Sequence, residues 1–188
     1  VKTYYGIDIQ LMVYMEAAMK LVAKMRPGKN VIPAGVFYYN ISDPIVSATT
    51  ESAEEIEDKI KGELRLKGMV NSDKDIAEKM DNTEGTSLNI PVSRKADGGF
   101  DSRRSKVMNT EQFNMLGRFV DVRAIDTADR IAGGDIRRSP YKDGQFSSCD
   151  RCPYGAVCGF SVDLPGCNYR KLKKFDDEVL WNNIKEGV

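Results

Sequence analysis

The sequence predicts an α/β fold in which helices surround a small sheet and a cysteine-bound clasp closes the C-terminal end. Three observations carry that prediction. Apolar residues recur at helical spacing in the runs 7–25, 51–64 and 109–132. Residues 31–41 are rich in β-branched and aromatic side chains, the composition of a strand. Three of the four cysteines fall in Cys149-Asp150-Arg151-Cys152-Pro153-Tyr154-Gly155-Ala156-Val157-Cys158, which reads C-x2-C-x5-C. At 188 residues the chain suits one full-sized domain, or one domain with an appendage, and no separate second domain is expected. It begins at Val1 rather than Met, with no charged leader before an apolar run, so an excised piece of something longer is expected.

Residues 7–25 contain few breakers and are apolar on most sides, with Glu16, Lys20 and Lys24 forming one polar stripe; the expectation is a largely buried helix with one wet edge. Gln10 and Tyr14, four apart, lie one above the other on a different face. Pro27-Gly28 stops this helix after Arg26. An inner strand is expected over 31–41, entered at Pro33 and ended by Ser42-Asp43-Pro44, because Val36 to Tyr39 is apolar on both faces. Residues 51–64 read as a charged surface helix with Ile56, Ile60 and Leu64 on one side, and Leu66-Lys67-Gly68-Met69-Val70 leads away as a short extended piece. A second short helix over 73–80 would turn Ile76 and Met80 inward. Residues 87–92 alternate like a half-buried strand, and Ala96-Asp97-Gly98-Gly99-Phe100 offers a hairpin turn. The basic cluster Arg103-Arg104-Ser105-Lys106 reads as a solvated hairpin flank, with contact to a phosphate backbone as the sharper alternative. Asn109-Thr110-Glu111-Gln112 supplies a capping-box-like start to the longest amphipathic helix. Along it Phe113, Leu116, Val120, Ala124, Ala128 and Ile131 recur as a core stripe until Gly133-Gly134. Residues 135–140 form an extended link carrying Arg137 and Arg138, and the tail opens with Arg170, Lys171, Lys173 and Lys174 and ends in a short helix holding Trp181.

Lys plus Arg and Asp plus Glu balance at 28 each, so the chain as a whole gives no electrostatic sign of affinity for nucleic acid or membrane, and any such binding has to be local. The longest apolar stretch, 11–25, is interrupted by Glu16, Lys20 and Lys24, which excludes a membrane span; a soluble protein is expected. All four cysteines lie between Cys149 and Cys167, which fits a reducing cytoplasm better than secretion. Histidine is absent, which removes a Cys2His2 zinc site, a Ser-His-Asp triad and a Cys-His dyad. Two thiolates two residues apart on a turn can face one metal centre, and a third sulfur six positions later can return to it. Soft ligands so arranged suit zinc or an iron–sulfur cluster.

Several of these pieces recur together in one order. They are Tyr4-Tyr5-Gly6 leading into Gln10-Leu11-Met12-Val13-Tyr14; Pro33-Ala34-Gly35-Val36-Phe37-Tyr38 with Asp43-Pro44; Leu66-Lys67-Gly68; Gly134-Asp135-Ile136 with Pro140-Tyr141-Lys142; the cysteine block; and Asn168-Tyr169-Arg170. In that order, nearly end to end, the chain resembles the carboxy-terminal part of the AddB family. These are the B subunits of the AddAB ATP-dependent helicase–nuclease, whose terminal domain is a RecB-like nuclease of the PD-(D/E)xK class. The resemblance implies that residues 1–148 are the scaffold half of an incomplete nuclease domain and residues 149–188 an iron–sulfur clasp and tail. It also implies that Gln10 and Tyr14 are the family's Gln-x3-Tyr accessory motif, orienting the metal-site residues or the DNA backbone. Cys149, Cys152 and Cys158 would be three of the four ligands of a 4Fe–4S cluster whose first ligand lies far upstream, with Cys167 as an alternative fourth.

The family's catalytic carboxylates and lysine belong to a hairpin before the position of Val1, so the resemblance implies that this stretch alone does not cut DNA. The full-length protein would be a Mg2+-dependent exodeoxyribonuclease that binds ATP, pairs with the AddA subunit and resects double-strand DNA ends for recombinational repair in the cytoplasm. Faces of the 7–25 helix and the 31–41 strand that normally pack on a larger sheet would be left bare, so self-association is expected. A stand-alone RecB-like exonuclease is the near variant. From a different class, the alternative is a non-catalytic zinc-binding interaction module using Cys149, Cys152, Cys158 and Cys167.

Overall fold

The computed structural model describes residues 1–47 and 52–187, and its chain packs as two units, Gln10–Gly117 and Val1–Ile9 with Arg118–Val188. Among the described residues no helix is long and apolar enough to cross a membrane.

In the first unit α1 (Gln10–Met25) leads to β1 (Gly35–Tyr38), α2 (Ala53–Leu64), β2 (Lys67–Asn71), α3 (Lys74–Met80) and β3 (Val107–Met108). The sheet order is β1-β2-β3, with β1 antiparallel to β2 and β3 parallel to it. Two glycines let β1 and β2 come together. A methyl group at Gly68 would run into the Val36 carbonyl, and one at Gly35 would stand 2.8 Å from the Met69 carbonyl oxygen. The core on this sheet is Val70, Ala77, Ile90 and Val92, with Phe37, Leu66, Phe100 and Val107 packed against it. Asn71 closes β2: its buried Nδ2 donates to the Pro33 carbonyl at 2.7 Å and to Thr110 Oγ1 at 2.9 Å. Ser52 and Glu55 form a capping box at the start of α2, a surface helix with Ile56, Ile60 and Leu64 half-buried, as expected. Residue 51, the expected start of that helix, lies outside the described residues.

The long helix α4 (Thr110–Ala132) starts as its sequence predicts, with Gln112 N donating to Asn109 Oδ1 at 2.7 Å and Asn109 N to Gln112 Oε1 at 2.9 Å. Its end is marked by Gly134 at φ 75°. In the second unit β4 (Tyr141–Asp143), β5 (Phe146–Ser147), α5 (Gly155–Cys158), β6 (Arg170–Lys171) and α6 (Asp177–Glu186) follow. The order β5-β4-β6, with β6 parallel to β4, brings the tail back beside the link that precedes the cysteines. Tyr4 stacks on Phe119 with ring centres 5.5 Å apart and meets Phe175 edge-on, while Lys173 N donates to Tyr5 Oη at 3.0 Å. The first residues and the last are thereby held together within one unit.

Several expectations about elements are corrected. Residues 7–9 lie outside the helix, and α1 begins at Gln10. That helix is not largely buried: Met12 and Met15 are, whereas Val13, Tyr14, Leu21, Val22 and Met25 are exposed. Glu16 sits on the inward side with Met12 and Met15, where Gly117 of α4 leaves room for its carboxylate. The strand at 31–41 shrinks to four residues at the sheet edge rather than an inner position, because among the described residues only β2 pairs with it. Ala77, not Met80, is the buried residue of α3. Residues 87–92 form no strand, because side chains meet their backbone groups: Ser87 Oγ accepts from Asn89 N and Ile90 N, and the Arg65 guanidinium donates to the Ile90 and Val92 carbonyls. On α4 the core stripe runs through Phe113, Leu116 and Val120, joined by Phe119, but Ala128 and Ile131 are exposed. The hairpin turn at 96–100 forms, with Arg94 bridged to Phe100.

Candidate functional site

The helix spacing that sets Gln10 above Tyr14 delivers a specific contact. Gln10 Nε2 donates to Tyr14 Oη at 2.9 Å, on an exposed face at the first turn of α1, where Tyr14 is 60% exposed. Tyr14 accepts there and so keeps its own O–H as a donor, while Gln10 keeps its carbonyl oxygen as an acceptor. A neutral donor and acceptor fixed side by side can orient a water, a phosphate oxygen or a carboxylate.

The cysteines occupy a series of tight turns between β5 and β6. Cys152 N donates to the Cys149 carbonyl at 3.1 Å, Gly155 N to the Cys152 carbonyl at 3.3 Å, and Cys158 N to the Tyr154 carbonyl at 2.9 Å as α5 winds up. Asp150 fixes the first turn by accepting from Ser147 Oγ at 2.6 Å and Ser147 N at 2.7 Å, which holds its carboxyl below the usual range. Its hydrogen bond with the Cys149 thiol holds the Tyr169 hydroxyl above the usual tyrosine range. All four cysteines are free; Cys152 is exposed and Cys149, Cys158 and Cys167 are half-buried. Their chemistry suits zinc or a cluster: unpaired soft donors on a backbone of turns. Their positions are not yet those of a site, since among the described residues no three His, Cys, Asp or Glu side chains are grouped as a metal ion requires.

One constellation escapes the sequence reading. Tyr4, Tyr5, one face of α4, the 137–139 link and Arg170 enclose an open cavity of about 770 Å3 into which five arginines turn: Arg123, Arg130, Arg137, Arg138 and Arg170. Asp135 ties two of them. Its carboxylate accepts from Arg130 Nε at 2.9 Å and from Arg137 Nε at 2.9 Å and Nη2 at 2.7 Å. The Arg137 and then the Arg130 guanidinium hold it far below the ordinary carboxylate range. The signal that sequence does carry is Arg123 and Arg130 seven apart on one helix face, followed directly by the Arg137-Arg138 pair. By contrast Arg103, Arg104 and Lys106 are exposed along the hairpin flank, their turn held by Asp101, which accepts from Arg103 N at 2.8 Å.

The sequence profile of the PD-(D/E)XK nuclease superfamily matches residues 2–159. Proteins named as the B subunit of an ATP-dependent helicase/deoxyribonuclease are similar along nearly the whole chain. The one from Thermoanaerobacter pseudethanolicus is 35% identical over 187 residues, that from Clostridium botulinum 38% over 187, and that from Caldanaerobacter subterraneus 37% over 186. Each alignment covers 98% of this chain and 16% of the relative, so the chain spans about one sixth of the length of the curated relatives it matches.

Proposed function

The chain belongs to the PD-(D/E)XK nuclease superfamily, and from that premise we propose that it forms the nuclease end of an ATP-dependent helicase–nuclease that degrades and resects double-strand DNA ends for recombinational repair. The observation that carries the reading is the Gln10–Tyr14 pair, bonded at 2.9 Å and open to a ligand within the matched residues. In this reading the pair is an accessory motif. It orients carboxylates or phosphate oxygens at a Mg2+ site whose catalytic acids and lysine these residues do not supply, and the helicase–nuclease partner of the AddA kind and ATP belong to the complete assembly. The residues alone then bind DNA without cutting it.

Cys149, Cys152 and Cys158 are proposed as three ligands of a 4Fe–4S cluster. Such a cluster would tie the turns between β5 and β6 to one point; its part here is structural. Cys167 stands in the same unit, free and half-buried, and supports the second reading, a four-thiol zinc module without catalysis.

In the full-length protein paired with its helicase partner, Gln10→Ala is expected to lower Mg2+-dependent degradation of linear DNA by about 10- to 100-fold, the usual cost of losing an orienting partner, with ATP hydrolysis unchanged. Degradation equal to wild type would sink the accessory role. Metal and acid-labile sulfide analysis of the anaerobically purified chain separates the two cysteine readings. Iron and sulfide that disappear in Cys152→Ser support the cluster, whereas zinc without sulfide supports the module.

A further inference from the structure

The arginine-lined cavity has no part in the reading above, and its chemistry is specific. Against the five guanidinium groups its lining holds one acid, Asp126, and Asp135 bridges two of the five. The cavity is therefore strongly positive in a chain whose charges balance overall. The guanidinium groups are anchored yet not used up. Arg138 Nη1 donates to the Cys158 carbonyl at 2.9 Å and Arg170 Nε to the Ser139 carbonyl at 3.2 Å, and with the Asp135 bonds counted each of Arg130, Arg137, Arg138 and Arg170 keeps at least three N–H donors. Planar forks held in place by their own partners are what bidentate phosphate recognition requires. Tyr4 and Tyr5 line the cavity, and each has a stacked partner, Phe119 for Tyr4 and Phe175 for Tyr5.

We propose that this cavity holds neighbouring phosphates of single-stranded DNA, independently of base sequence. A volume of about 770 Å3 suits a ligand of a few nucleotides, within the range of about 300–1,000 Å3 usual for small-ligand sites. The inference rests on the nuclease reading for the identity of the polyanion as DNA; the geometry by itself selects closely spaced phosphates.

The test is fluorescence anisotropy of labelled twelve-residue oligo(dT) and oligo(dA) titrated with the 188-residue chain. Wild type binds both equally, and the Arg137→Ala/Arg138→Ala pair weakens both by at least about tenfold at low salt. The same pair flattens the salt dependence by roughly 0.7 in slope for each phosphate no longer neutralised. The Arg137→Lys/Arg138→Lys pair, which keeps charge but loses the fork, falls between the two and guards against a folding artefact. Arg103→Ala/Arg104→Ala removes the same charge from the hairpin flank and leaves binding unchanged. No binding by wild type, equal loss from the flank variant, or wild-type affinity in the cavity variants would overturn the proposal. Failure of the nuclease reading registers elsewhere, as no Mg2+-dependent degradation of linear DNA by the full-length protein with its helicase partner, the anisotropy result being intact.

Discussion

Asp81 shows how the loop that stands where a strand is expected is held, and the account can be checked by removing one charge. Its carboxylate is buried and accepts from Ser87 Oγ at 2.6 Å, Asn89 Nδ2 at 2.9 Å and Thr83 N at 2.7 Å. Burial alone would raise its pKa; the hydrogen bonds from Ser87, Thr83 and Asn89 outweigh that and leave it well below the ordinary carboxylate range. Asp81→Asn keeps the shape and abolishes the charge. A hydrogen bond to a charged group contributes about 1.5–3 kcal/mol against about 0.5–1.5 for a neutral one, and the amide accepts through one oxygen where the carboxylate uses two, so the substitution costs about 3 kcal/mol or more. That is a large share of an ordinary stability of about 5–15 kcal/mol. The sign of the pH effect follows from the depressed pKa. Below the unfolded value of about 3.9 the unfolded chain binds a proton that the folded chain refuses, so this contribution is complete above that pH and is lost as pH falls toward the folded value. Urea unfolding followed by far-UV circular dichroism should therefore show wild type well above Asp81→Asn at neutral pH, the gap narrowing as the pH falls below about 4. The other aspartates with lowered pKa, Asp101, Asp135 and Asp150, are common to both chains and cancel. A gap that stays constant from neutral to acid pH, or no gap, would refute the reasoning.

Three further outcomes are expected. Asn71→Leu strands the Pro33 carbonyl and the Asp73 N–H that the amide now satisfies, and should cost about 3 kcal/mol in the same unfolding assay. Gly68→Ala forces β1 away from its close approach at the Val36 carbonyl and should cost more than about 2 kcal/mol, whereas Gly62→Ala on open helix surface should stabilise by about 0.5–1 kcal/mol; equal effects would refute the close-approach argument. The chain should self-associate, since Leu21, Met25, Ile41 and Ile45 are 59–99% exposed and one β1 edge is unpaired among the described residues, and a monomeric mass by light scattering at micromolar concentration would count against it.

What sequence can show of this fold depends on where each backbone group finds its partner. The start of α4 is legible because Asn109 and Gln112 satisfy each other within four residues. The pairing of β6 with β4 is not, since two-residue strands carry no period and their register depends on the cysteine turns between them. The alternation at 87–92 misleads because Ser87 and Arg65 take the hydrogen bonds a neighbouring strand would take. On α1 the charged residue that reads as solvated, Glu16, faces a glycine on another helix, a relation no periodicity can express. The Gln10–Tyr14 contact is a matter of spacing on one helix and is fully legible. The arginine cavity draws on separate stretches that meet only after folding.

The order of motifs that carries the family resemblance can now be divided by subtraction. Gly35 and Gly68 are accounted for by the approach of β1 to β2, and the Pro33 carbonyl by the Asn71 amide. Tyr4 and Tyr5 are accounted for by Phe119, Phe175 and Lys173, and Asp135 by the two guanidinium groups it bridges. Tyr169 packs on Phe160 and bonds Cys149. None of these interactions explains why Gln10 and Tyr14 stand exposed at a helix start, bonded only to each other among the hydrogen bonds described, or why three free cysteines fall so close together in the sequence around Pro153, with Cys152 in the open. An exposed polar pair and an exposed thiol contribute little to stability, so packing gives no reason for Gln10, Tyr14 or Cys152. What the fold leaves over, the Gln10–Tyr14 pair and the cysteine turns, is therefore where the proposed chemistry is to be tested.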